Sequence, residues 1–276
     1  ADIPLTVSRE ILQENKVVLS IKKAIKNRII STLNKLAKDD KDKFDIFWEA
    51  FGPVIKEGIY EDYEKKDDLL KIIRFKSSYT KDGYRSLEEY IGDMKPNQKS
   101  IYFITSEDYQ SALANPLLEG YVAREVEIII LTDPIDSFWT ATGIKFEDKE
   151  LKHVSHGTEE LTDISVTKKA KRKKSKAKIT DSDLKKLIAE MTRVLGDYVS
   201  EVKINSSLID SPVCISIGEN GYDKTMQKIL QQRQGMSLSK PVLEVNPNHD
   251  VMIKLSDMFK NKQTKNIHTT AHILLD

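Results

Sequence analysis

Arg9 and Gln13 stand four residues apart, just behind the proline-led stretch Pro4-Leu5-Thr6-Val7-Ser8. A guanidinium carries five N–H donors and stays charged at physiological pH, so a well-placed arginine suits the terminal phosphate of a nucleotide. Ser8 has the chemistry of a helix N-cap, and Pro4 keeps the chain before it extended. A helix opening at Arg9 would set Arg9 and Gln13 on one face. The same spacing also describes an ordinary capped helix with two solvated polar side chains. No phosphate cradle accompanies the pair: the sequence holds neither G-x-x-x-x-G-K-[ST] nor G-x-G-x-x-G, and Gly218-Glu219-Asn220-Gly221 reads as a turn. Any ATP chemistry would therefore be assisted by this chain, not housed in it.

Two apolar features could bind another protein. Tyr222, Met226, Ile229 and Leu230 lie at i, i+4, i+7 and i+8, one continuous face of a helix. Core packing is the competing account, although methionine also suits a surface that must adapt to varied partners. Phe138 and Trp139 are adjacent, so on a helix they cannot both point into one core, and an exposed aromatic marks a binding patch. The remaining reactive residues argue for little. His268 and His272 have the i, i+4 spacing of zinc ligands but no third ligand close in sequence, so the expectation is no metal and two surface histidines. His153 and His156 read the same way. Cys214, in the strand-like run Val213 to Ile217, reads as a small buried hydrophobe. No Ser-His-Asp or paired-carboxylate arrangement stands out.

The elements that must position these residues follow from periodicity. Val18, Ile21, Ile25, Ile29, Leu33 and Leu36 repeat at helical spacing and predict a long amphipathic helix over 17–36. A second helix is expected over 42–56, with Phe44, Phe47, Trp48 and Phe51 as its bulk and Gly52-Pro53 and Gly58 as punctuation, and a third over 63–74. Runs 100–104 and 126–131 are β-rich, the second almost wholly apolar as in a strand covered on both faces. Strands alternating with helices imply α/β (α+β) layering with a parallel sheet. Further helices are expected from Thr180 and from Tyr222 to Gln232, a paired strand set at 199–204 and 213–217, and a strand at 242–245. From 158 to 179 the apolar pattern fades, and Lys168, Lys169, Lys171, Arg172, Lys173, Lys174, Lys176 and Lys178 form a basic block. We read this as a solvated connector. Eight cations could also neutralise nucleic-acid phosphates, but no aromatic residue is interleaved for base stacking.

Composition agrees with a folded chain: 276 residues, 32% charged, 39% hydrophobic, and a formal net charge of +1, which opposes a global nucleic-acid or membrane field. The lone cysteine rules out an internal disulfide and fits a reducing compartment; with no basic-then-apolar leader, the expected setting is cytoplasmic.

The segment Leu5-Thr6-Val7-Ser8-Arg9-Glu10-Ile11-Leu12-Gln13 resembles the catalytic-loop motif of the HtpG family of heat-shock chaperones. Several later segments agree in order: Phe51 to Gly58, Arg74 to Ser78, Ser86 to Tyr90, Met94 to Thr105, Leu131 to Asp136, Asp210 to Cys214, Gly221-Tyr222, and Leu243 to His249. The stretch from about Thr158 to Thr180 diverges. The resemblance implies a middle domain over 1–157 that lacks its first part, a charged connector over 158–179, and a C-terminal domain over 180–276 with truncated dimerisation helices. It implies an ATP-driven homodimeric clamp, with ATP and Mg bound by a preceding domain, none bound by this chain alone, and dimerisation weakened. It implies that unfolded or partly folded clients meet Phe138, Trp139, Tyr222, Met226, Ile229 and Leu230. Co-chaperones are compatible partners, and a membrane is not. It gives Arg9 the γ-phosphate and Gln13 a supporting role, stabilising charge on the transferring phosphoryl group. A nucleotide-independent holdase and an electrostatic nucleic-acid binder are the competing readings. Arg9→Ala in the complete protein is predicted to lower ATP turnover while nucleotide affinity changes little; unchanged steady-state turnover would remove the assignment.

Overall fold

The computed structural model describes residues 16–167, 179–218, 223–234 and 239–275. Arg9, Gln13, Tyr222 and the basic block at 168–178 lie outside them. The chain forms two compact units, residues 1–74 and 75–276.

The first unit is helical. Helix α1 (Lys16–Asp39) is followed after one residue by α2 (Lys41–Glu61), and a 3-10 turn over Tyr63–Lys65 leads into α3 (Lys66–Leu70). Asp40 caps α2 by accepting the Lys43 N–H at 3.2 Å. Phe44, Trp48 and Ile59 are buried along α2, and the Arg74 guanidinium lies 4.7 Å from the centre of the Phe44 ring. Gly52-Pro53 does not interrupt the helix as expected. A Cβ at Gly52 would sit 3.0 Å from the Trp48 ring, so the glycine is the place where that ring packs one turn along. On α1 only Leu33 is buried, and Ile21, Ile25 and Ile29 stay 40–53% exposed.

The second unit holds two sheets. Its elements are β1 (Phe75–Ser77), β2 (Thr80–Arg85), α4 (Leu87–Gly92), β3 (Ile101–Thr105), α5 (Tyr109–Leu113), α6 (Glu119–Val122), β4 (Ile129–Leu131), α7 (Asp136–Thr140), β5 (Lys145–Phe146) and β6 (Lys149–His153). Then come α8 (Asp181–Leu195), β7 (Glu201–Ile204), β8 (Val213–Ser216), α9 (Lys224–Gln234), β9 (Val242–Val245), α10 (Asp250–Lys260) and α11 (Thr264–Leu275). The larger sheet runs β2-β1-β4-β3-β6-β5. Its centre, β4-β3-β6, is parallel, with Phe103 opposite Ile129 on one side and His153 on the other; the outer pairs are antiparallel. This is the expected α/β (α+β) class. The smaller sheet runs β7-β9-β8. Thus β7 and β8, expected to pair with each other, both pair with β9: Val245, closing an all-buried strand, faces Ile204 on one side and Val213 on the other.

Residues 158–167, expected to open a solvated connector, send two side chains into the core. Leu161 and Ile164 are buried in the cluster that also holds Tyr102, Tyr121 and Val154. The Glu160 carboxylate accepts from the Ser100 and Tyr102 hydroxyls, each at 2.8 Å, and pairs with Lys152 at 2.5 Å. Leu161 lies in a 3-10 turn over Glu160–Asp163 and Ile164 just after it, a stretch too short for an apolar period to repeat.

Glu119 ties the two sheets together. Its carboxylate accepts the backbone N–H groups of Ile209, Asp210 and Ser211 at 2.7, 2.8 and 3.0 Å, and the Ser211 hydroxyl as well. Next to it, a Cβ at Gly120 would fall 2.6 Å from Ser207 Cβ, so α6 approaches this loop as closely as a chain can. From the other side Asn246 donates its side-chain amide to the Ser211 carbonyl at 3.1 Å and its own N–H to the Pro212 carbonyl at 2.8 Å. Burial pushes the Glu119 carboxyl up, but the Ser211 hydroxyl and the three N–H donors outweigh that and hold it below the ordinary glutamate range.

Candidate functional site

Two of the sequence features meet in the second unit. Helix α7 lies beside α9, and Ser137 and Thr140 of α7 share a groove with Met226 of α9.

Asp136 shapes α7. One carboxylate oxygen accepts the Asp133 N–H at 3.0 Å, and the other accepts the Trp139 indole N–H at 2.8 Å. Asp136 and Trp139 are both buried, and Thr140 donates its hydroxyl to the Asp136 carbonyl at 2.6 Å. Trp139 was expected on a client-binding surface. At 1% exposure, with its one polar atom already paired to Asp136, its ring belongs to the core. Phe138 is half-buried, consistent with two adjacent residues diverging on a helix. On α9, Asp223 caps the first turn by accepting the Met226 N–H at 2.8 Å. Met226, Ile229 and Leu230 are each half-buried, neither core nor free surface.

Met226 lines a groove of about 540 Å³ together with Phe103, Ser137, Thr140, Ile217 and Asp223. A second cavity of about 290 Å³, lined by Thr105, Glu107, Leu117 and Ile215, shares His153, Ile217 and Asp223 with the first. His153 stands where they meet. Its Nδ1 accepts the Ser155 N–H at 3.2 Å, and its ring is edge-on to Phe103 at 5.4 Å. Loss of solvent, and secondarily His156, lowers its pKa to about 3, so the ring is neutral near pH 7. The groove floor is pinned: Ser155 accepts the Ile217 N–H at 3.3 Å, and the His156 ring reaches the Gly218 carbonyl at 3.3 Å. Among the described residues Lys152 is the one lysine or arginine on either lining, and it is paired with Glu160. With Glu107, Glu150 and Asp223 present, the described lining carries more acidic than basic side chains. Such a surface does not fit a nucleotide triphosphate, which needs cations and a cradle of N–H donors.

The other singled-out residues have separate roles. His268 shares Glu190 with Arg193: its Nε2 lies 2.8 Å from Glu190 Oε1, and the Arg193 Nε donates to Oε2 at 3.0 Å. Arg193 and then His268 lower the Glu190 pKa to about 2. His272 packs edge-on to Tyr198 at 5.5 Å. Among the described residues no three His, Cys, Asp or Glu side chains are grouped to hold a metal ion. Cys214 is buried beside Glu244, and burial followed by that charge raises its thiol far above the reactive range. No described helix is long and apolar enough to cross a membrane. Sequence reasoning discounted His153 as a surface histidine and missed Glu119, which has no local pattern; Asp136 was visible only as part of the Leu131–Asp136 segment.

The Hsp90 protein family model matches residues 1–276. The chain is 38% identical over 277 residues to the chaperone protein HtpG of Mesorhizobium japonicum, covering 100% of this chain and 44% of the relative. It is 39% identical over 277 residues to the HtpG of Nitrobacter hamburgensis, covering 100% and 42%. To the HtpG of Rhizobium meliloti it is 38% identical over 257 residues, covering 93% and 40%. The chain thus spans about two fifths of the length of the curated relatives it matches.

The placement of Trp139 has a direct optical test. In a Trp48→Phe variant, Trp139 is the sole tryptophan. Its emission is predicted to be blue-shifted and poorly quenched by acrylamide. Red-shifted, readily quenched emission from a folded variant would return Trp139 to the surface.

Proposed function

The chain belongs to the Hsp90 family, and from that premise we propose that it is a client-holding part of a molecular chaperone. One observation carries the reading: the half-buried Met226 face of α9 packs beside α7 over an open groove. A methionine with two half-buried aliphatic neighbours offers area to an unfolded chain without fixing the shape of its partner. Phe138 adds an aromatic on the adjacent helix. Tyr222 extends the same helical spacing but lies outside the described residues.

We extend the proposal to ATP on the resemblance alone. Arg9 and Gln13 would act on a nucleotide held elsewhere in the complete protein, with Mg, since the grooves described above do not suit one. Homodimerisation, co-chaperone contacts and a cytoplasmic setting are carried in the same way. The apolar face favours client binding over nucleic acid, for which the described lining has the wrong charge.

Met226→Glu combined with Leu230→Glu is predicted to weaken binding of a permanently unfolded protein at least ~10-fold, about 1.4 kcal/mol, while circular dichroism shows an unchanged fold. Undiminished affinity in the folded double variant would contradict the reading.

A further inference from the structure

The two cavities share His153, and the topology explains where it stands. Strand β3 is parallel to both of its neighbours. The chain leaves the carboxyl end of β3 toward β4 on one side and later returns to β6 on the other. The carboxyl ends of the strands at such a switch are where open α/β sheets hold their ligands. Thr105 closes β3 and His153 closes β6, and both line the crevice that opens there.

One polar atom in this crevice has no partner inside the protein. His153 opens a 3-10 turn over Val154–His156, and its Nδ1 accepts the Ser155 backbone N–H at 3.2 Å. A backbone N–H can only donate, so Nδ1 carries a lone pair and the proton of the neutral ring sits on Nε2. That Nε2–H has no hydrogen-bond partner among the described residues. The turn holds the ring in place, Phe103 packs edge-on against it, and the ring lines both cavities. The crevice thus contains a fixed, uncharged donor, whose complement is an acceptor. The walls on either side of the ring are apolar: Phe103 and Met226 in the groove, Leu117 and Ile215 in the second cavity, and Ile217 in both. Against such walls an uncharged acceptor, a carbonyl oxygen, is favoured over an ion. In an extended chain successive side chains point to opposite sides of the backbone. A main-chain carbonyl placed on His153 would therefore send one neighbouring side chain into each cavity.

We propose that His153 donates its Nε2–H to a main-chain carbonyl of an extended client segment, and that the two cavities take the side chains flanking that carbonyl. The inference rests on the client-holding reading and deepens it. The crevice holds a group that every client segment carries, so it fixes the backbone and leaves the sequence open.

The test uses the full chain and two fluorescein-labelled hexapeptides of alternating leucine and serine, one with ordinary amides and one with its inner amides replaced by esters, followed by fluorescence anisotropy. An ester carbonyl is the weaker acceptor, so the amide peptide is expected to bind about fivefold tighter. His153→Ser is the discriminating variant: its hydroxyl can still accept the Ser155 N–H but is too short to serve the crevice, and the preference for the amide peptide should fall close to one. His153→Gln can carry an amide N–H about as far as Nε2 and should keep the preference. Equal binding of the two peptides by the wild type, or a preference of the same size in His153→Ser, overturns the inference. Loss of the preference in both variants assigns His153 to packing alone and overturns it as well. If the wild type binds both peptides equally and Met226→Glu weakens both, the client-holding reading stands without the carbonyl contact. No binding of either peptide overturns both.

Discussion

One carboxylate sets the geometry of the larger unit. Glu119, on a helix of four residues, takes three consecutive backbone N–H groups and a hydroxyl from the loop that feeds β8. A hydrogen bond to a charged acceptor contributes on the order of 1.5–3 kcal/mol, and less where water reaches the donor. Gly120 lets the two segments approach that closely, and Asn246 fixes the loop from the β9 side. Leu208 and Cys214 then enter the same apolar cluster as Tyr121 and Val154. A bond between a charge and a turn thus decides where the small sheet lies on the large one. The depressed Glu119 pKa gives the sign of its pH dependence. Its stabilisation is complete above the unfolded glutamate value of about 4.3 and is lost as pH falls through the lower folded value.

The groove inherits its form from that tie. With β8 held, Ile217 reaches Ser155 and Gly218 reaches His156, which closes the floor. Strand β8 then leads toward α9, which Asp223 caps and which comes to lie beside α7. The Asp136 carboxylate stiffens that neighbour by holding Trp139 inward. A rigid floor under a half-buried methionine face is a reasonable division of labour for a surface that must accept many sequences: the scaffold keeps its shape and the side chains adapt.

Much of the fold was legible because it is periodic. The apolar spacing of 17–36 and the run 242–245 appear as α1 and β9 almost to the residue. Ser86 to Tyr90, met first as part of a family segment, is a capping box: Ser86 and Glu89 each accept the other's N–H, at 3.1 and 2.7 Å. The Tyr90 hydroxyl that follows bonds Gln98 and the Tyr102 N–H. What escaped has no period. Leu161 sits in a 3-10 turn and Ile164 just past it, β9 inserts between two strands that precede it in sequence, and Glu119 meets partners ninety residues away. Trp139 was misjudged because two adjacent aromatics on a helix must diverge, and the pattern does not say which one turns inward. Asp136, three residues earlier, supplies that choice through the indole N–H.

The most direct measurement of the central claim is amide hydrogen exchange in Glu119→Gln at neutral pH. Glutamine keeps the size and one acceptor but not the charge. Faster exchange is predicted for Ile209, Asp210 and Ser211 and through β8 to Ile217, with protection in residues 16–74 unchanged. Unchanged protection across 209–217 would contradict the account and show that the small sheet is held in place without Glu119.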